Sequence, residues 1–465
     1  MAGRSAVILI HRNPLIQLKA ALVLMENIVL EDNLVLRTAT ADDAEKVADF
    51  NSVVMAEPPE FNPEPEIGDW TRDLFDGVNQ NVSPTDFTVV EDTSTGAIVS
   101  TIVLISQIWN IGGVDTPMGM PEIVGTHPDY RRRGLIRRQF ELMHEWSVER
   151  GHLFGAVMGI PYYYKQFGYE YALDAWSGRA TSRSMLTGIV EKEASPPFTV
   201  REATQSDLPF IVECENFSTQ RLFVKATRDA QVYEREMFNR RAGSATFYRT
   251  RILEREGTPV GYYEYHVTPK NDLLRVDAFE VSSAANWFDA TTSMLVDLKS
   301  LADGIKSDTG EPCEKIEFSC GSEHPAFKMF DKQFGAEINP YAWVIRVPDV
   351  AKIVSHLSPS IERRLAKSDL RGWSGDLKMS FYTSGLHMAF DNGAIKDVSN
   401  TGPIERHEAN AHYPDRTFTK ALFGQFSFSQ LREIYTDCYA DKQVHSVLQD
   451  ILWGGQQASG VLPTN

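Results

Sequence analysis

The feature that most restricts the fold of this chain is a sequence echo at a nearly constant distance. Val200-Arg201-Glu202-Ala203-Thr204-Gln205-Ser206-Asp207 repeats Leu36-Arg37-Thr38-Ala39-Thr40-Ala41-Asp42-Asp43, with Arg, Ala, Thr and Asp at matching places. Lys165-Gln166-Phe167-Gly168 recurs as Lys332-Gln333-Phe334-Gly335. The offsets are 164 and 167 residues. Either echo alone is compatible with chance. Together they imply an internal duplication of a unit of about 150 residues, an ordinary size for one domain. The expected layout is an extension over 1–33, a first unit over 34–190, a second over 191–348 and a third over 349–465. The linker between the first two is expected near Glu193-Ala194-Ser195-Pro196-Pro197.

Local patterns give each unit a mixed strand and helix content. Leu34-Val35-Leu36-Arg37 reads as a strand, and Thr40 before Asp42, Asp43 and Glu45 reads as a helix N-cap. Phe87 to Val90 and Ala97 to Leu104 are β-rich runs around the turn Asp92-Thr93-Ser94-Thr95-Gly96, which predicts a hairpin. A strand over 122–126, a helix over 134–150 and a strand over 153–158 follow. The third unit has a helical pattern over 350–365. Strands over 377–382 and 386–390 come next, the second leading into an Asn392-Gly393 turn. Ser427 or Ser429 is expected to cap a closing helix. The fold class is α+β.

The 46 basic and 63 acidic residues give a net charge of −17. That excludes a general nucleic-acid binder, which needs a basic footprint. It suits cationic ligands, although solubility alone also favours acidic surfaces. No apolar stretch reaches the length of a membrane span. Cys214, Cys313, Cys320 and Cys438 are too few and too scattered for a disulfide framework or a zinc site. They read as reduced thiols of a cytoplasmic protein, and no metal is expected. Arg4, Arg12 and Lys19 precede the first acid, Glu26, faintly in the manner of an organelle presequence, but an amphipathic helix or plain extension explains them as well.

The chemistry sits in Val124-Gly125-Thr126-His127-Pro128-Asp129-Tyr130-Arg131-Arg132-Arg133-Gly134-Leu135-Ile136-Arg137. A strand enters a basic turn, and a long helix follows. The first turn of a helix presents unpaired N–H groups and the positive end of the dipole, which suits a pyrophosphate. Gly134 allows close approach and unusual dihedrals. A solvated basic helix start is the plainer alternative.

This stretch resembles motif A of the GNAT acetyltransferases, Arg/Gln-x-x-Gly-x-Gly/Ala, with Ile136 in place of the last small residue. Tyr162-Tyr163-Tyr164-Lys165-Gln166-Phe167-Gly168-Tyr169 resembles the later Tyr-x-x-Phe-Gly segment of that family. Two GNAT-like units followed by a sterol-carrier-protein-like C-terminal domain resemble the layout of the enhanced intracellular survival family. The run Thr417-Phe418-Thr419-Lys420-Ala421-Leu422-Phe423-Gly424 fits its last domain.

The resemblance implies two mixed-sheet GNAT-like units, a third domain, and transfer of acetyl from acetyl-CoA to a primary amine on a small molecule or a lysine side chain. Val124, Gly125 and Thr126 would pair with the pantetheine arm. Arg132, Arg133, Gly134, Leu135, Ile136 and Arg137 would hold the pyrophosphate. Tyr164 would protonate the departing thiolate, which a phenol with an ordinary pKa of about 10 can do. The family base is the chain's own C-terminal carboxylate, here on Asn465 after a Gly- and Gln-rich tail. Glu122 beside the motif is the other candidate base, directly or through water. The second unit has neither the arginine cluster nor the glycine at Ala278 to Trp287, and Asp331 stands in the register of Tyr164. Two other readings stay open: an acyl-CoA sensor without turnover, and a lipid or sterol carrier driven by the third unit. Self-association is also open.

Overall fold

The computed structural model describes residues 27–56, 62–77, 81–190, 195–268, 272–306 and 310–453. The basic N-terminal segment, part of the expected linker and Asn465 lie outside the described residues.

The repeated octapeptides have one physical explanation. Arg37 forks onto both oxygens of Asp43 at 2.8 Å and onto Glu91 at 2.7 Å. Asp43 accepts in turn from the Thr40 amide and hydroxyl, closing a capping box ahead of the helix Ala44–Val54. Arg201 does the same to Asp207 and Glu254, at 2.7–2.8 Å, and Asp207 accepts from Thr204 ahead of Leu208–Ser218. Each copy staples its opening strand to a helix and to a neighbouring strand. A bidentate arginine is the side chain suited to that geometry.

The first sheet runs in the order Ile28–Val29, Leu34–Thr38, Phe87–Asp92, Ala97–Ile111, Val114–Thr126, Phe154–Met158, Tyr341–Arg346, Glu170–Ala175. The second runs Ala336–Ile338, Gly178–Ser182, Lys315–Phe318, Leu273–Val281, Thr258–Thr268, Arg249–Arg255, Thr199–Glu202. The sheets therefore trade strands. Tyr341–Arg346, from the end of the second unit, lies between two strands of the first. Gly178–Ser182, from the end of the first, lies between two strands of the second. A cut at 190/191 in the chain thus does not separate the sheets. Val224–Ala226 also pairs with the far end of Ala97–Ile111.

The third sheet, Ala394–Thr401, Gly385–Asp391, Gly375–Ser380, Ala411–His412, Tyr439–Ala440, belongs to the C-terminal part. The hairpin of Gly385–Asp391 and Ala394–Thr401 closes as expected, with Asp391 paired to Ala394 and both Asn392 and Gly393 at positive φ. The helical pattern over 350–365 is two helices, Val350–His356 and Ser358–Ala366, because Pro359 cannot continue a helix from within. Ser427 is the cap of Phe428–Ile434, with Gln430 closing a capping box, while Ser429 bonds Asp450. This part is not a loose appendage. Its core residues Leu377, Phe418 and Leu448 are continuous with Trp109, Phe154 and Trp343 of the first sheet. All four cysteines are free and buried. No helix among the described residues is long and apolar enough to cross a membrane.

Candidate active site

The site begins where two parallel strands part. Val114–Thr126 pairs with Phe154–Met158 only at Met118↔Phe154 and Gly119↔Gly155. Beyond that point the two strands no longer pair, so one backbone edge of the segment 120–126 has no neighbouring strand among the described residues. A bulge falls within this segment. The register against Ala97–Ile111 slips between Thr101 and Val103, and Ile123 takes φ +49. Gly125 is required beside it, since a Cβ there would lie 2.5 Å from Val54 of the helix Ala44–Val54.

A cleft of about 670 Å³ fills the fork. Val124, Gly125 and Thr126 form one wall, Ile160, Tyr163, Tyr164 and Phe167 the opposite one, and Arg132, Gly134, Leu135, Ile136 and Arg137 the end. Val54 and Ile160 also line it, as do Tyr130, Arg131, Tyr163, Gln166 and Phe167, which belong to the two motif runs but have no individual role in them. Only Val54 and Ile160 lie outside the two motif runs; they meet the others only through the fold.

The turn at the cleft's end has an unusual backbone. Arg132 and Gly134 both take positive φ, 66° and 74°, a backbone of the kind from which anion-binding concavities are built. The first bond of the helix Leu135–Glu149 is from the Arg138 amide to the Gly134 carbonyl. The amides of Leu135, Ile136 and Arg137 precede it and have no intrahelical acceptor. Ile136, the departure from the small-residue pattern, turns its side chain into the cluster of Phe140, Tyr164 and Val344, leaving its amide to the turn. The arginines divide their work. Arg132 has no ion-pair partner among the described residues. Arg137 holds Gln166 at 2.9 Å. Arg133 does not line the cleft: its guanidinium lies over the Tyr130 ring and pairs with Asp32 at 3.2 Å. Its side chain therefore braces the turn from behind.

Tyr164 is buried on the short helix Pro161–Lys165, and among the described residues its hydroxyl has no hydrogen-bond partner. Burial first, and then the Glu122 carboxyl, push the phenol well above its usual range, so it keeps its proton. Glu122 sits behind the cleft wall rather than on its surface. It is 8% exposed, and its Oε1 has no partner among the described residues. Desolvation raises its pKa to about 8, against a small opposing effect from the Ile123 amide. The two groups face each other's field across the fork. Both hold their protons at neutral pH, with Glu122 close to giving its up.

The second unit has closed the corresponding fork. Leu273–Val281 and Lys315–Phe318 pair at four positions instead of two. Past them, His324 donates to the Phe279 carbonyl at 2.9 Å and packs on Trp287 and Phe279. The helix Trp287–Gly304 is capped by Asn286, which accepts from the Asp289 amide, and Asp289 in its first turn opposes the field of the helix start. Asp331 is not the counterpart of Tyr164. Counted from the proline opening each short helix, Pro161 and Pro325, that place falls to Lys328, while Asp331 pairs with Arg179 at 2.8 Å.

A family model described as an acetyltransferase (GNAT) domain matches residues 35–172. No curated protein matches in sequence. Three solved structures share the fold across nearly the whole chain. A GCN5-related N-acetyltransferase from Anabaena variabilis superposes with a TM-score of 0.63 at 13% identity, over 91% of this chain and 98% of that one. A probable N-acyltransferase from Enterococcus faecalis gives 0.62 at 13%, over 92% and 98%. Eis1 from Mycobacterium abscessus gives 0.57 at 13%, over 92% and 99%. Residues 35–172, which hold the forked strands, the arginine–glycine turn and Tyr164, accordingly form an acetyltransferase domain of the GNAT type.

Proposed function

We propose that the chain transfers acetyl from acetyl-CoA to a primary amine, on a small cationic molecule or a lysine side chain, by direct attack in a ternary complex. The observation that carries this reading is the single cleft that joins the unpaired strand edge, the arginine–glycine turn and a buried, protonated phenol. The residues fit coenzyme A. The edge at Val124, Gly125 and Thr126 suits the amides of the pantetheine arm. The amides of Gly134, Leu135 and Ile136, with Arg132 and Arg137, suit the pyrophosphate. Arg133 serves through its backbone and as a brace.

Acetyl-CoA, when bound, supplies an activated thioester. The amine attacks its carbonyl carbon, the C–S bond breaks, and the thiolate takes a proton from Tyr164. Glu122 in its ionised form accepts the amine's proton, directly or through one water, and its raised pKa brings it nearer to that of an amine. The Asn465 carboxylate is the other candidate for this role. No cysteine lines the cleft, so a covalent acyl-cysteine is not part of the scheme. We read residues 349–465 as the sterol-carrier-protein-like domain and the protein as cytoplasmic.

The test is acetyl-CoA turnover, followed as free thiol, against polyamines, aminoglycosides, amino acids and lysine peptides. Tyr164→Phe is expected to lower kcat by about a hundredfold, within the usual range for removing a general acid, with acetyl-CoA affinity nearly unchanged. Binding without turnover on any amine would make the chain a sensor. An unaffected Tyr164→Phe would move the acid elsewhere.

A further inference from the structure

The helix that carries Tyr164 has five residues. A helix this short has no stability of its own in water, because the nucleation cost is not recovered by later turns. Its position is set from outside. Upstream, the Gly159 amide donates to the Ala342 carbonyl, on the strand lent by the second unit, at 3.3 Å. A Cβ on Gly159 would lie 2.2 Å from a ring carbon of Tyr164, so the phenol ring rests directly on that backbone. Downstream, the third unit takes hold. Asp415 pairs with Lys165 at 3.1 Å. Lys420 pairs with Glu170 at 3.0 Å, donates to the Tyr171 carbonyl at 2.5 Å and lies over the Tyr171 ring.

Lys420 is only 5% exposed. A buried ammonium is costly unless it is paired and hydrogen-bonded, and here the pairing sits on the segment that follows Tyr164. The ammonium spans two units: its stem belongs to the helix Thr417–Leu422, and its acceptors open the strand Glu170–Ala175. We propose that Lys420, seconded by Asp415, is a positioning residue for Tyr164. The third unit then contributes to acetyl transfer by fixing where the phenol stands, without touching substrate. This rests on the reading of Tyr164 as the acid.

The experiment uses the full chain and Lys420→Met, which keeps the apolar stem and removes the ammonium. With 3-fluorotyrosine incorporated, the ¹⁹F resonance that disappears in Tyr164→Phe reports the ring. It is expected to shift and broaden in Lys420→Met and to return toward its place in Lys420→Arg. kcat is expected to fall by about ten- to a hundredfold, the scale of a misplaced catalytic group. Acetyl-CoA affinity should stay within about threefold, since the anion-binding turn lies elsewhere. In the Tyr164→Phe background the same substitution should add almost nothing to the loss in kcat. Asp415→Asn, at a half-exposed site, should move the resonance the same way and carries the test if Lys420→Met does not fold. An unmoved resonance overturns the proposal, as does a full further loss on top of Tyr164→Phe. If Tyr164→Phe is itself silent, the acid assignment has failed, and the ¹⁹F shift still decides whether Lys420 positions the ring.

Discussion

Glu122 sits where folding and chemistry pull in opposite directions. The unfolded carboxyl ionises near 4.5, while burial holds the folded one at about 8. Between those values the unfolded state has lost its proton and the folded state has not, so stability falls as pH rises from about 4.5 to about 8. Glu122→Gln removes this penalty. At pH 7 it is expected to stabilise the protein by about 3 kcal/mol, and the gain should vanish below pH 4.5, as read from denaturant midpoints across that range. Turnover should move the other way. If Glu122 accepts the amine's proton, kcat/KM rises with pH through about 8, and the substitution removes that limb and at least about tenfold of rate. If the Asn465 carboxylate is the base, the limb survives in Glu122→Gln, and removing residues 454–465 abolishes turnover instead. This balance was only half legible in the sequence. Glu122 was recognisable as an acid beside the motif, but its missing partner and its place behind the wall come from the bulge at Ile123, which no local pattern announces.

At the scale of elements, the sequence was most legible where one residue type answers one local demand. The arginine–glycine turn, the Asn392-Gly393 hairpin and the Thr40 and Thr204 capping boxes depend on contacts within a few residues. The prediction that belongs here concerns Gly134. It takes φ +74 with open space around the position of a Cβ, so the demand is backbone conformation and not room. Gly134→Val should strain the turn by about 1–2 kcal/mol and tilt the amides of Leu135 and Ile136. Gly134→Asn should be milder, because asparagine tolerates the left-handed region. Calorimetry with acetyl-CoA is expected to show at least about tenfold weaker binding for valine and a smaller loss for asparagine. Equal affinity in all three proteins would remove this turn from the cofactor site. The length of the central hairpin, by contrast, was not legible. Ala97–Ile111 and Val114–Thr126 extend well past the expected strands because Val224–Ala226 and the helix Ser358–Ala366 grip its tip, with Ser360 and Arg363 both donating to the Gly112 carbonyl.

At the scale of the whole molecule, duplication was visible and exchange was not. The echoes at 164 and 167 residues mark two copies of one unit, but a strand reads the same whichever sheet receives it. The traded strands Tyr341–Arg346 and Gly178–Ser182 find partners more than 130 residues away in the chain. The exchange gives a second unit that lacks the open fork a structural part to play: it completes the first sheet and supplies the carbonyl that holds Gly159. It also carries the last prediction. In the first unit two strand pairs open into a fork; in the second, four pairs run on into a bridge from His324 to Phe279, and Trp287 packs on His324. Burial lowers the His324 pKa to about 4, so the bridging imidazole stays neutral and offers an anion nothing at physiological pH. The capped, acid-bearing start of Trp287–Gly304 completes the exclusion. Titration of the full chain with acetyl-CoA is therefore expected to saturate at one cofactor per chain, and Arg132→Ala together with Gly134→Val should remove that one site without uncovering another. A stoichiometry of two, or residual saturable binding in the double variant, would show that the second fork opens in solution.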